Sequence, residues 1–298
     1  MNQFPIRRNR HQELLLRLAT KIYSRRGGTE TSLRPENAIL IVCVSDTHNT
    51  TPALPFGDLL LHAGDLTEKG TFAELQAQLT WLNDQPHTHK VVIAGNHDLL
   101  LDPAIGKGSD QSPTNLNWGS VIYLQDRSVT LNFPNGRDLT VYGAPWTPKF
   151  GNFAFQHPAK SDVWTNTIPA HVDILLTHGP PQCHLDMNTY GARMGSPHLL
   201  RELYRARPRL VVFGHIHESY GQEMEAFDRS QKVWEELLLA KGEWLALCHL
   251  AWLVVLRRVG AVAPMRSSKQ TKSIRLVNAA AVGGEGNRET RAPVTVTP

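Results

Sequence analysis

Val91-Val92-Ile93-Ala94-Gly95-Asn96-His97-Asp98 ends an apolar run abruptly in residues suited to metal and proton chemistry. Val91 to Ala94 is apolar at every position and too short for a helix core, the pattern of a strand buried on both faces. Gly95 permits a sharp turn, so Asn96, His97 and Asp98 emerge together at the carboxyl end of that strand. In open α/β sheets, ligands bind at that end.

The same pattern recurs along the chain. Ile39 to Val44 stops at Ser45-Asp46-Thr47-His48, and Leu59 to Ala63 stops at Gly64-Asp65. Asp173 to Thr177 runs into His178-Gly179-Pro180-Pro181, and Arg209 to Phe213 into Gly214-His215-Ile216-His217. Apolar residues at 72, 75, 79 and 82 have helical period, and a second helix is expected from Pro197 to Ala206. Buried strands alternating with helices indicate a parallel α/β layer. From 99 to 170 the runs shorten to 120–124, 129–132 and 139–142, with Asn135-Gly136 as a hairpin turn between the last two. Ile274 to Asn278 is expected to be the final strand, and the Gly- and Thr-rich stretch after it to be disordered.

Charge is partitioned. Of 31 Lys/Arg and 27 Asp/Glu, residues 1–35 hold eight and two, and residues 257–298 again eight and two, leaving 15 against 23 in the middle, a formal −8. An acidic middle suits cation binding and disfavours a long nucleic acid, which calls for a basic cleft. The basic ends are expected to be solvated tails. Cys43, Cys183 and Cys248 are too few and too far apart for a disulfide framework or a CxxC site, which favours a reducing compartment and a cytoplasmic location. Residues 1–26 carry seven basic residues and Leu14, Leu15, Leu18 and Ile22 at helical spacing, which fits an exposed helix or, alternatively, a mitochondrial presequence. Trp244 to Leu256 is an apolar run of 13 residues, too short to span a bilayer, so no transmembrane segment is expected. It lies in a helical, apolar stretch from 222 to 272 that suits a contact surface: packing on the domain itself first, a homodimer contact next.

Ligand counting turns the strand ends into a site. Asp46, His48, Asp65 and His217 suffice for one centre, and Asp65, Asn96, His178 and His215 for a second, with Asp65 bridging. Carboxylate, amide and imidazole donors without thiolate suit two ions of Mn, Fe, Zn or Mg, manganese among them, which activate a bridging hydroxide. Taken singly, Asp46 and Asp65 also read as helix N-caps and Asn96 as a turn residue. Of the fourteen histidines, His62, His87, His89, His157, His171, His198 and His249 read as packing or surface residues.

Asp-x-His, Gly-Asp, Gly-Asn-His-Asp, a lone His after a strand and Gly-His-x-His occur here in the order of the calcineurin-like metallophosphoesterases, which the chain resembles over about 38–221 and 274–284. Tyr142 to Pro148, Thr177 to Pro181, Gly214 to Glu218 and Val277-Asn278-Ala279 resemble the small metallophosphoesterase-domain subgroup related to brain protein 239. The resemblance implies an α/β fold, a two-sheet β-sandwich flanked by helices in four αββα layers. It implies a dinuclear centre at the residues counted above and hydrolysis of a small phosphoester, phosphodiesters being the subgroup's usual class. It assigns His97 as the acid at the leaving oxygen, and Asp98 is expected to orient that imidazole. The organisation expected is a basic extension and linker at 1–37, the metallophosphoesterase domain at 38–284 interrupted by the insertion at 222–272, and a disordered tail at 285–298. Two rival readings use the same fold: a binding protein on a decayed metal site, and a nuclease.

Overall fold

The computed structural model describes residues 6–24, 38–105, 112–262 and 273–297. In chain order its elements are α1 (Arg10–Ser24), β1 (Ile41–Val44), β2 (Leu59–His62), α2 (Phe72–Asn83), β3 (His89–Val92), β4 (Val121–Tyr123), β5 (Arg127–Asn132), β6 (Asp138–Ala144), β7 (Thr147–Pro148), β8 (Gln156–His157), β9 (Ile174–Thr177), α3 (Pro197–Ala206), β10 (Leu210–Phe213), β11 (Gly221–Glu225), α4 (Arg229–Leu238), α5 (Trp244–Val262), β12 (Ile274–Asn278), β13 (Val282–Gly283), β14 (Glu289–Thr290) and β15 (Val294–Val296).

Two sheets carry the site. The first has the order β15-β1-β2-β3-β4 and the second β11-β12-β10-β9-β6-β5. β1 to β4 pair in parallel, as do β6, β9, β10 and β12, while β15, β11 and β5 join antiparallel at the edges. Strand alternation builds the layers. Ile41, Cys43, Leu59, Leu61, Val91 and Ile93 face Val141, Ile174, Leu176, Leu210, Val212 and Val277 across the inter-sheet core. The alternate residues Val42, Val44, Leu60 and Val92 meet Leu75, Leu79 and Leu82 of α2 on one outside face. Leu175, Val211, Phe213 and Leu276 meet Leu199, Leu200 and Leu203 of α3 on the other. Side chains that alternate with period two therefore bury both faces of both sheets, giving the expected αββα layering.

The crossover helices have local start signals. Thr71 accepts from the Glu74 N–H and Glu74 from the Thr71 N–H, a capping box that contributes about 1 kcal/mol. Ser196 caps α3 with Pro197 in its first turn.

Three differences from the sequence reading stand out. Residues 285–298, expected to be disordered, contain β14 and β15, and Ile274–Asn278 is not the last strand. Val294, Thr295 and Val296 pair with Cys43, Val42 and Ile41, covering an edge of β1 that would otherwise be open. The stretch from 222 begins as β11, a strand of the second sheet that pairs with β12, so the added helices start only at α4. The N-terminal helix is not simply exposed: Leu15, Ala19 and Tyr23 of α1 pack with Val233 and Leu237 of α4 and Leu247, Leu250 and Val254 of α5. Tyr23 and Trp234 stack with ring centroids 4.6 Å apart. The basic extension and the insertion thus form one satellite core, and α5 leaves Leu245 and Trp252 exposed. The expected linker at 27–37 and residues 263–272 lie outside the described residues.

Candidate metal centre

The parallel strands deliver their carboxyl ends to one rim. The backbone N–H of Asp46 donates to the Gly64 carbonyl at 2.9 Å, His48 N–H to the Asp65 carbonyl at 3.1 Å, and Gly214 N–H to the His178 carbonyl at 3.0 Å. Asp46, His48, Asp65 and His215 all have positive φ. Non-glycine residues pay about 1–2 kcal/mol for that conformation, a strain held at the rim by the surrounding hydrogen bonds. Two motif glycines allow close approach. A Cβ on Gly95 would fall on Asp65 Oδ1, and one on Gly214 would fall on Asp46 Oδ2.

Among the described residues three overlapping groups of donors result, each with ligating atoms within 4.8 Å of one another: Asp46, His48 and His217; Asp65, His178 and His215; and His48, Asp65 and His97, which links the other two. Asp46 Oδ1 lies 3.1 Å from His217 Nε2, and the carboxylate also accepts the His215 N–H. Asp65 Oδ2 lies 3.7 Å from His48 Nε2 and 3.4 Å from His178 Nε2, so it sits between the groups. His178 Nδ1 lies 2.8 Å from the Ala63 carbonyl, to which it donates, leaving Nε2 towards Asn96 Oδ1 at 3.0 Å.

Electrostatics match this arrangement. Burial works to raise the Asp46 and Asp65 carboxyls, but the facing imidazoles overcome it and hold both well below the usual range. His178 is fully buried, yet Asp65 carries it up to about 9. Burial lowers His215 to about 3, with His178 adding to the effect. Both ring nitrogens of His48 are buried without a hydrogen-bond partner, although Glu68 Oε2 lies 3.1 Å from Nδ1 without the alignment of a hydrogen bond. Orphaned imidazole nitrogens beside two buried carboxylates fit bound cations.

The family profile of calcineurin-like phosphoesterases matches residues 39–219, which span all of these donors. The chain belongs to the calcineurin-like phosphoesterase family. Among its relatives, metallophosphoesterase domain-containing protein 1 of Homo sapiens is 40% identical over 212 residues, covering 63% of each chain. A UPF0046 protein of Caenorhabditis elegans is 35% identical over 230 residues, covering 67% of this chain and 56% of its own. A protein of Emericella nidulans named "Probable rhamnogalacturonate lyase C" is 42% identical over 275 residues, 91% of this chain. This chain spans only 26% of that fungal protein and 63% of the human one.

In this phosphoesterase, six of the nine residues singled out from sequence form the Asp46 and Asp65 groups, Asn96 lies beside His178, and His97 joins His48 and Asp65. Its ring centroid is 4.8 Å from that of His48 and 4.9 Å from that of Phe153. Its Nδ1 lies 2.8 Å from the Glu68 carbonyl. Asp98 does not orient that imidazole. Its carboxylate accepts from the N–H groups of Gly95, Leu66 and Thr67 and from the Thr67 hydroxyl, at 2.8, 3.3, 3.0 and 2.7 Å, tying the loop after β2 to the loop after β3. Burial, with the Asp65 charge adding to it, pushes Asp98 up to about 6 against those hydrogen bonds.

Three residues beside the site, Glu68, Phe153 and Asn287, and one packed against β11 and α4, His184, had no signal in the sequence. Glu68 and Phe153 lie in loops of ordinary composition, and Asn287 lies in the stretch read as disordered. His184 is buried between Glu223 and Glu235 at 2.6 and 3.0 Å. Their positions depend on loop paths that no local pattern encodes.

Proposed function

We propose that this chain is a dinuclear metal-dependent phosphodiesterase acting on small phosphodiesters, with His97 as the general acid. Asp46, His48, Asp65 and His217 would hold one ion and Asp65, Asn96, His178 and His215 the other. The observation that carries the reading is Asp65 Oδ2 facing His48 and His178 from between two donor groups. Bound there, two ions of Mn, Zn, Fe or Mg supply Lewis acidity towards phosphoryl oxygens and make water nucleophilic at neutral pH.

The side chains do the rest. His178 donates Nδ1–H to the Ala63 carbonyl, so its free Nε2 points inward without rotation. His97 Nδ1 is engaged by the Glu68 carbonyl, which leaves Nε2 as the atom that would hand a proton to the departing oxygen. Phe153 packs beside that ring and limits its water contact. The acidic middle of the chain supports a small substrate over a long nucleic acid. The cysteines Cys43, Cys183 and Cys248 are all free, which supports a reducing compartment, the cytoplasm.

The test is a metal-reconstituted screen over aryl diesters, aryl monoesters, cyclic nucleotides and single-stranded DNA. Preference for a small diester is expected. No hydrolysis of any ester with both sites filled would establish the binding-protein reading instead, and preference for the DNA would establish the nuclease.

A further inference from the structure

We propose that Asn287 is a positioning residue for His217, supplied to the metal centre by the segment after β12. The inference rests on the reading that His217 is a metal ligand. Asn287 lies beyond the 39–219 span matched by the family profile.

The segment is anchored at several points around the site. Ala280 bridges to Ser45, the residue before Asp46. β13 pairs with β14, and β15 pairs with β1, the strand that leads into Asp46. Between these anchors, the Arg291 N–H donates to the Ala281 carbonyl at 2.7 Å, and its guanidinium donates to the His217 carbonyl. That guanidinium also lies 5.5 Å from the centroid of the Tyr220 ring. The His217 backbone is therefore held from the same segment that holds its ring.

The ring contact is specific. His217 Nδ1 lies 2.9 Å from Asn287 Oδ1, while Nε2 lies 3.1 Å from Asp46 Oδ1. A neutral imidazole carries one N–H, and the nitrogen that lacks it is the one able to ligate. With Oδ1 as acceptor, the proton stays on Nδ1 and Nε2 is left for the ion beside Asp46. Were the amide turned so that its NH₂ faced Nδ1, that nitrogen would have to accept, and Nε2 would carry the proton and be lost as a ligand. The centre thus requires an acceptor at position 287.

Asn287 also has φ +56°, between Gly286 and Arg288 in a tight turn. Asparagine and glycine both tolerate that conformation. A purely conformational role would therefore be met by glycine as well as by asparagine, whereas the proposed role would not. Aspartate tolerates the turn and keeps an acceptor oxygen. The two substitutions separate the explanations.

The experiment is calorimetric titration of metal-free full-length protein with Co²⁺, comparing wild type with Asn287→Gly and Asn287→Asp. Wild type should bind two ions. Asn287→Gly should lose about 10- to 100-fold in affinity for one of them and leave the other unchanged. Asn287→Asp should bind both at least as tightly as wild type. Two ions in wild type with unaltered affinities in Asn287→Gly would overturn the assignment of Asn287 alone. Equal weakening in Asn287→Asp and Asn287→Gly would overturn it too, since the acceptor would then not matter. A wild type that binds no Co²⁺ would overturn the dinuclear reading and this inference with it.

Discussion

The backbone N–H of His97 donates to Asp65 Oδ1 at 2.7 Å, while Asp65 Oδ2 faces His48 and His178. One carboxylate thus has one oxygen committed to the residue proposed as acid and the other turned towards both donor groups. Metal binding and acid placement are coupled through a single side chain. Asp65→Ala should remove both ions and free the His97 loop. Elemental analysis of the purified variant checks this, and wild-type metal content would refute the bridging role.

His97 itself can be changed without touching either proposed set of ligands. His97→Ala should retain both ions and lose about 10²- to 10⁴-fold in turnover of a diester with a poor leaving group, on the order of 3–5 kcal/mol of barrier. The loss should shrink for an aryl ester whose phenolate departs without a proton. Equal losses on both substrates would exclude proton donation to the leaving oxygen.

Asp98 separates structure from chemistry. Its carboxylate, fully buried, receives three backbone N–H groups and the Thr67 hydroxyl. Asp98→Ala leaves the three backbone N–H groups without an acceptor, each at about 1–3 kcal/mol, while the Thr67 hydroxyl keeps the His97 carbonyl at 3.3 Å. The variant should show a large drop in its urea midpoint, on the order of several kcal/mol in stability. A midpoint like that of wild type, accompanied by a shifted pH profile of turnover, would return Asp98 to the role of orienting His97.

The buried strands and both crossover helices were legible because each announces itself locally. Leu59 to Leu61 is continuously apolar, and Phe72–Asn83 and Pro197–Ala206 carry caps and helical spacing that match the helices observed. The donors were legible because strand ends share a rim. β15 was not, although Val294-Thr295-Val296 alternates buried, exposed, buried. Three residues between prolines gain strand structure only from β1, about 250 positions away, and a Gly- and Thr-rich neighbourhood masks them. The pairing of α1 with α4 and α5 was hidden for the same reason: each helix showed an apolar face, but nothing local says that the faces meet. Asp98 was misassigned because adjacency to His97 in sequence was taken as adjacency of side chains, and the turn after Gly95 sends the two apart.

The buried ion cluster at His184 makes stability depend on pH above neutrality. His184 Nδ1 lies 2.6 Å from Glu223 Oε1 and Nε2 3.0 Å from Glu235 Oε1, joining the loop after β9 to β11 and α4. Glu235 is further held by Gln231 Nε2 at 2.9 Å and the Tyr204 hydroxyl at 3.0 Å. Burial pulls the imidazole pKa down, but the hydrogen bonds and charges of Glu223 and Glu235 win and carry it up to about 10. Unfolded, the same group titrates near ~6.5. A pKa raised on folding contributes stability that is fully present below the unfolded value and is lost as pH rises through the folded one. The stability difference between wild type and His184→Gln should therefore be largest near pH 6 and fall progressively towards pH 10. Urea unfolding of both proteins across that range, with metal chelated throughout, measures it. Comparing the two proteins cancels titrations elsewhere, so a difference that stayed flat or grew with pH would show that His184 is neutral in the folded chain.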